Sequence, residues 1–94
     1  MEENAIKNDK QVFFNQVKGT VHEILEEETF STISLSLGHE NMRHAAFVYK
    51  TQEFEKYKSI IGLGDKVCIK FYLSSRKKYD RWYTTATVLE IAKI

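Results

Sequence analysis

With 94 residues and 11.0 kDa, the chain has room for one small hydrophobic core and excludes a second domain. Hydrophobic residues make up 43% and charged residues 29%, which excludes a chain disordered throughout, and the aromatic share of 13% is high enough to need explaining. The net charge of +1 decides nothing about a polyanionic partner, but its distribution is uneven: residues 1–42 carry three lysines and no arginine against eight acids, and residues 43–94 carry eight lysines and three arginines against five.

In chain order, residues 1–14 are polar and aperiodic up to Val12-Phe13-Phe14 and are expected to form a flexible N-terminal segment ahead of a domain at 15–94. From Asn15 to Glu26, Val17, Gly19 and Val21 alternate with polar residues, and the phase slips at Glu23-Ile24. Period two predicts a strand, and Gly19 with the slip predicts the bend and bulge that carry one long strand around a barrel corner. Glu26-Glu27-Glu28-Thr29 reads as a turn. Phe30 to Leu37 then predicts a second strand, with Ile33, Leu35 and Leu37 on one face and Thr32, Ser34 and Ser36 on the other.

Gly38 to Asn41 is turn-rich, and Arg43 to Tyr49 predicts a third strand, completing a meander, with Ala46 and Val48 taken as its core side. At Thr51 the period changes. Thr51 as N-cap, Glu53 and Glu55 in the first turn, a stripe of Phe54, Tyr57 and Ile60 or Ile61, and Gly62 as terminator predict one amphipathic helix of about ten residues. Val67, Ile69, Phe71 and Leu73 alternate as a fourth strand, the basic stretch Ser75 to Arg81 connects onward, and Trp82 to Ile91 forms a fifth.

The order β-β-β-α-β-β in so short a chain best fits an all-β fold, the five-stranded OB barrel, whose helix plugs one end and whose ligands lie across strands two and three. An SH3-like barrel competes but normally lacks the helix. The run Gly64-Asp65-Lys66-Val67-Cys68-Ile69-Lys70-Phe71-Tyr72-Leu73-Ser74-Ser75-Arg76, followed by Tyr79 and Arg81-Trp82-Tyr83-Thr84, resembles the ending of a family of short OB-fold proteins of Bacteroidetes bacteria and their phages. That family is itself similar to bacterial single-stranded DNA-binding proteins. The resemblance implies an OB barrel and single-strand binding, with DNA preferred over RNA on this ground alone. It departs from the bacterial proteins in having no acidic C-terminal tail and no third-strand tryptophan.

Single-strand binding needs cations for phosphates and flat rings for bases. Arg76-Lys77-Lys78-Tyr79-Asp80-Arg81-Trp82-Tyr83 packs four cations and three aromatics into eight residues at the hairpin that flanks the usual OB groove. A solvated hairpin whose charges blunt a sheet edge would show the same charges, but interleaved aromatics favour nucleic acid. Phe47 and Tyr49, opposite in phase to Ala46 and Val48, are placed in the groove; a phase shifted by one would make Phe47 core. Lys70 and Tyr72 lie on the polar phase of strand four, Arg43 and His44 open strand three, Lys50 closes it, and Thr32, Ser34 and Ser36 offer hydroxyls or are simply solvated. Arg43, Lys70, Arg76, Lys77, Lys78 and Arg81 are thus assigned to phosphates, and Phe47, Tyr49, Tyr72, Tyr79 and Trp82 to bases.

Other functions have less support. No apolar run approaches the about 20 residues of a membrane span, and Met1-Glu2-Glu3-Asn4 does not open a secretory signal, so a cytoplasmic location without membrane contact is expected, in a bacterium or in its host if phage-encoded. Cys68 has no disulfide partner and no adjacent base, and His22, His39 and His44 do not make a ligand set, so no metal, cofactor or enzymatic activity is expected. A core this small favours pairing with another copy, a dimer first. The expected function is sequence-tolerant binding of single-stranded DNA in support of replication or recombination; an OB-fold subunit that contacts only other proteins is the alternative.

Overall fold

The computed structural model describes residues 14–38 and 43–94; the expected N-terminal segment, apart from Phe14, and the tip of the second turn lie outside them. Five strands, β1 (Asn15–Glu26), β2 (Phe30–Leu37), β3 (Arg43–Lys50), β4 (Lys66–Lys78) and β5 (Arg81–Lys93), close a barrel in the order β1-β2-β3-β5-β4, with one helical turn, α1 (Thr51–Phe54), after β3. This is the OB fold. Neighbours are antiparallel except β3 and β5, which meet in parallel at Val48 and Thr87.

β1 belongs to both sides of the barrel. Asn15 to Thr20 pair with β4, Thr20 to Glu26 pair with β2, and a bulge between Val21 and Glu23 absorbs the change of direction, as the phase slip predicts. Gly19 sits at the corner because nothing larger fits: a Cβ there would come within 2.8 Å of both the Ser36 carbonyl oxygen and Leu37 Cδ2.

The core is Val21, Ile33, Leu35, Phe47, Tyr49, Phe54, Ile61, Val67, Ile69 and Ile91. It corrects the phase expected of β3. Phe47 and Tyr49 point inward, and Ala46 and Val48 outward. Cross-strand partners share a face, and β3 pairs Phe47 with buried Ile33 and Tyr49 with buried Ser31. A barrel interior also needs volume that Ala46 cannot supply: the Phe47 ring meets Phe71 edge-on at 4.9 Å, and Tyr49 packs on Phe54 at 4.7 Å.

The helix is shorter than expected. After Phe54 the chain runs in tight turns closed by i→i+3 bonds, Tyr57 N–H to the Phe54 carbonyl at 2.8 Å and Ile60 N–H to the Tyr57 carbonyl at 3.0 Å. A free helix of ten residues is marginal, and here both ends of the segment are pinned. Lys50, not Thr51, occupies the N-cap position, without a side-chain cap. The Thr51 hydroxyl instead donates to the Glu27 carbonyl at 2.6 Å and accepts from buried Ser31 at 2.6 Å. At the other end the Gly62 N–H donates to the Asp65 carboxylate at 2.9 Å. Between these anchors Phe54, Tyr57 and Ile61 plug the barrel, and the Tyr57 hydroxyl accepts the Ile91 N–H at 3.3 Å.

The stretch 75–81, expected as a connection, is strand. β4 and β5 pair without interruption to Lys78 and Arg81, and the two-residue turn Tyr79-Asp80 takes φ of 53° and 62°, the left-handed pair of a type I′ hairpin. These residues gave no apolar alternation because the hairpin outruns the barrel and both its faces are wet.

Two expectations follow. Gly19→Ala destabilises the fold by about 1–3 kcal/mol through overpacking at the corner, whereas Gly62→Ala, with no atom within 4 Å of the added Cβ, changes it by no more than about 0.5 kcal/mol; urea denaturation compares them. The Gly62 N–H, and then Lys93, hold the Asp65 carboxyl below the usual aspartate range. Its contribution is therefore complete above the unfolded aspartate pKa and is lost as pH falls through the lower folded value. Melting temperature followed on acidification is expected to drop more steeply for the wild type than for Asp65→Asn, and parallel curves would remove Asp65 from the acid response.

Candidate nucleic-acid interface

Alternation along each strand places one set of side chains inside the barrel and the other outside. The outer set on β2, β3, β4 and β5 borders an open groove of about 1000 Å³. Its floor is made of small β-branched side chains, Thr32, Val48 and Thr87, meeting where β3 touches β5, with Val88 and Leu89 beside them. One wall is the β4–β5 arm, contributing the cross-strand pairs Tyr72 with Thr87, Ser74 with Thr85, and Arg76 with Tyr83. The opposite edge is Phe30, Lys50, Glu27 and Glu53, carried by the start of β2, the end of β3 and the turns beside them.

Register divides the expected site residues. Tyr72 and Arg76 border the groove, and Lys78 pairs with Arg81 one step further along the same face of the arm. Lys77 pairs with Trp82 on the reverse face, which continues the inward phase of Phe71 and Val88 past the end of the barrel. Tyr79 stands at the tip, 84% exposed, with the Lys78 ammonium 5.5 Å from its ring centre. Its left-handed backbone is unusual for a bulky residue and costs of order 1–3 kcal/mol.

Besides Lys77, Tyr79 and Trp82, four more expected residues are not brought to the groove as open contacts. Phe47 is core, and Tyr49 borders the groove only from beneath, 5% exposed. The Tyr49 hydroxyl is buried with no partner, and burial, aided by Glu26, pushes its pKa up, so it remains a neutral phenol. Lys70 is paired with Glu90 at 3.4 Å and lies 5.4 Å from the Phe14 ring centre, outside the groove. Arg43 is exposed at the start of β3, opposite Leu37, and does not border the groove either. His44 stacks on His22 with ring centres 4.4 Å apart. Among the described residues no three His, Cys, Asp or Glu side chains gather as a metal site, and no helix is long and apolar enough to cross a membrane.

Phe30 and Tyr83 were missed as groove residues. Both lie on the outer phase, Phe30 in step with Thr32 and Tyr83 in step with Thr85, and both are about half exposed, at 51% and 49%. Their phase was legible once the strands were. The charge is graded: Glu27 and Glu53 offset Lys50 at one edge, Glu26 holds Lys58 at 2.9 Å nearby, and the arm carries Arg76, Lys77, Lys78 and Arg81 against Asp80 alone. Glu26 and Glu55 both bond the Lys58 ammonium and raise its pKa, so this cation serves the acidic edge rather than a ligand.

No family model and no curated protein matches the sequence. Solved structures do match the fold. The mitochondrial single-stranded DNA-binding protein Rim1 of S. cerevisiae superposes with a TM-score of 0.63 at 9% identity, covering 86% of this chain and 91% of its own. A small single-stranded DNA-binding protein of Streptomyces coelicolor gives 0.51 at 12% identity, covering 87% and 94%. One from Mycoplasma pneumoniae gives 0.50 at 14%, covering 86% and 92%. At these identities the likeness is one of fold: the chain shares the OB barrel of these three single-stranded DNA-binding proteins.

Proposed function

We propose that the protein binds single-stranded DNA in this groove, with little sequence preference and without catalysing a reaction. The observation that carries the reading is the arm wall, where Arg76 and Tyr83 stand side by side along the groove. An open groove offering a cation for phosphate and a ring for a base suits an extended strand, and it suits every base because each has a π-face. Arg76, Lys78, Arg81 and Lys50 take phosphates. Tyr83, Tyr72 and Phe30 take bases, and Thr32, Ser74, Thr85 and Thr87 supply hydroxyl contacts along the floor and the arm wall. The fold shared with three DNA-binding proteins, and the resemblance of residues 64–84 to the short phage and Bacteroidetes proteins, support DNA over RNA and a service role in replication or recombination. Association into a dimer would set two such grooves along one strand.

The test is anisotropy of a labelled 30-mer of deoxythymidine, against the matching duplex and against RNA. Four neutralised phosphates give a log–log salt slope of about −3, and Tyr83→Ala weakens binding by about 1–3 kcal/mol. Absence of binding to any oligonucleotide at low salt would sink the reading and leave the groove to a protein partner. Tyr79→Asn relieves the left-handed strain at the tip and is expected to raise stability by on the order of 1 kcal/mol while lowering oligonucleotide affinity severalfold. Unchanged affinity in that variant would remove Tyr79 from the contact.

A further inference from the structure

The arm has a second face that the groove does not use. Packing against the core ends at Phe71 on β4 and at Ala86 on β5, and the arm runs on past Phe71 for seven residues of β4, about 23 Å at strand rise. On the reverse face Leu73 pairs with Ala86, Ser75 with Thr84, and Lys77 with Trp82. Leu73 is 56% exposed and Trp82 68%. Both are exposed although they continue the core phase, and Leu73's partner Ala86 is the last residue of that phase on β5 to pack against the core.

Resting on the single-strand reading above, we propose that this reverse face, centred on Lys77 and Trp82, holds a further stretch of the same strand, which leaves the groove over the arm's tip. Three observations support this path. Lys77 beside Trp82 repeats on the reverse face the cation-and-ring pairing that Arg76 and Tyr83 make on the groove face. Tyr83, Tyr79 and Trp82 then offer rings on one face, at the tip and on the other. The charge gradient points the same way: a phosphate chain crossing the groove away from the arm runs toward Glu27 and Glu53, whereas the arm carries four cations, three of them at or beyond residue 77, against Asp80. A second copy fits this face less well. An isologous pairing sets this face against its own copy, so each Lys77 is covered with no carboxylate on the face to meet it, and the hydrogen-bonded hydroxyls of Ser75 and Thr84, 2.8 Å apart, interrupt the apolar strip.

Trp82 is the lone tryptophan, so its emission reports this face directly. Deoxythymidine oligomers of increasing length are titrated at low salt, reading the anisotropy of a labelled strand and the Trp82 emission together. Oligomers of about five nucleotides, near the lower end of single OB-fold sites, are expected to bind with loss on Tyr83→Ala but without Trp82 quenching. Quenching should begin as the strand lengthens to about ten or more. Trp82→Ala and Lys77→Glu should each weaken the 30-mer at least about fivefold and leave the five-nucleotide strand unchanged. The inference falls if five-nucleotide and 30-mer strands quench Trp82 equally. It falls also if both variants bind the 30-mer like wild type while Tyr83→Ala does not, an outcome that leaves the groove reading intact. Should Trp82→Ala instead dissociate an oligomer, by light scattering, without changing 30-mer affinity, the face belongs to a second copy. Failure of every oligomer to bind the wild type overturns the groove reading itself.

Discussion

The corner in β1 is the constraint from which the rest of the molecule follows. Six residues of this strand pair with β4 and the remainder with β2, and the hand-over at Thr20 requires the backbone of Gly19 to lie against the Ser36 carbonyl. A side chain at that point pushes β1 off β2 and opens the barrel. Because β1 grips β4 only from Lys66 to Phe71, it also fixes where β4 leaves the barrel. Beyond Phe71 the strand has β5 as its one partner among the described residues, and the arm begins there.

Closure has a second requirement, at the barrel's end. The interior between β2 and β3 is filled by Phe47 and Tyr49, and Phe54, Tyr57 and Ile61 seal it from below. Where β2 and β3 face the groove beside these rings, the outward side chains are the small Thr32 and Val48. The groove is shallow-floored and open for that reason. Its walls come from elements that rise past the floor, the arm on one side and Phe30 with Lys50 on the other.

What could be read from the chain depended on whether a strand has one dry face. β2 comes nearest: Ile33 and Leu35 inside and Thr32 on the groove side gave its bounds and its phase, although on the polar phase Ser36 and the Ser34 hydroxyl are buried. β3 carries apolar residues on both phases, so Ala46-Phe47-Val48-Tyr49 admits two readings, and only pairing with Ile33 and Ser31 selects the one with Phe47 and Tyr49 inside. That one-residue choice exchanged two expected groove aromatics for core. The plug's apolar stripe was legible at Phe54, Tyr57 and Ile61, but its length was set by tertiary anchors at Thr51 and Asp65 that have no local signature. The arm was recognised by composition and missed as strand, since a two-sided polar ribbon has no period-two contrast. With it went the division of Arg76, Lys78 and Arg81 from Lys77 and Trp82, which register alone decides.

The arm's independence from the core has a consequence for how such a surface works. Arg76, Lys77, Trp82 and Tyr83 are exposed and stand outside the packed core, so charge and aromatic content there can change with little effect on folding. The one strained element of the arm is the tip, where Tyr79 occupies a conformation that asparagine or glycine would adopt more readily. A turn needed only to connect two strands gains nothing from a bulky ring there, and the lysine beside it adds a like charge to an already basic end. Both features lower the stability of the isolated hairpin, and both are what an extended polyanion carrying flat bases would meet first.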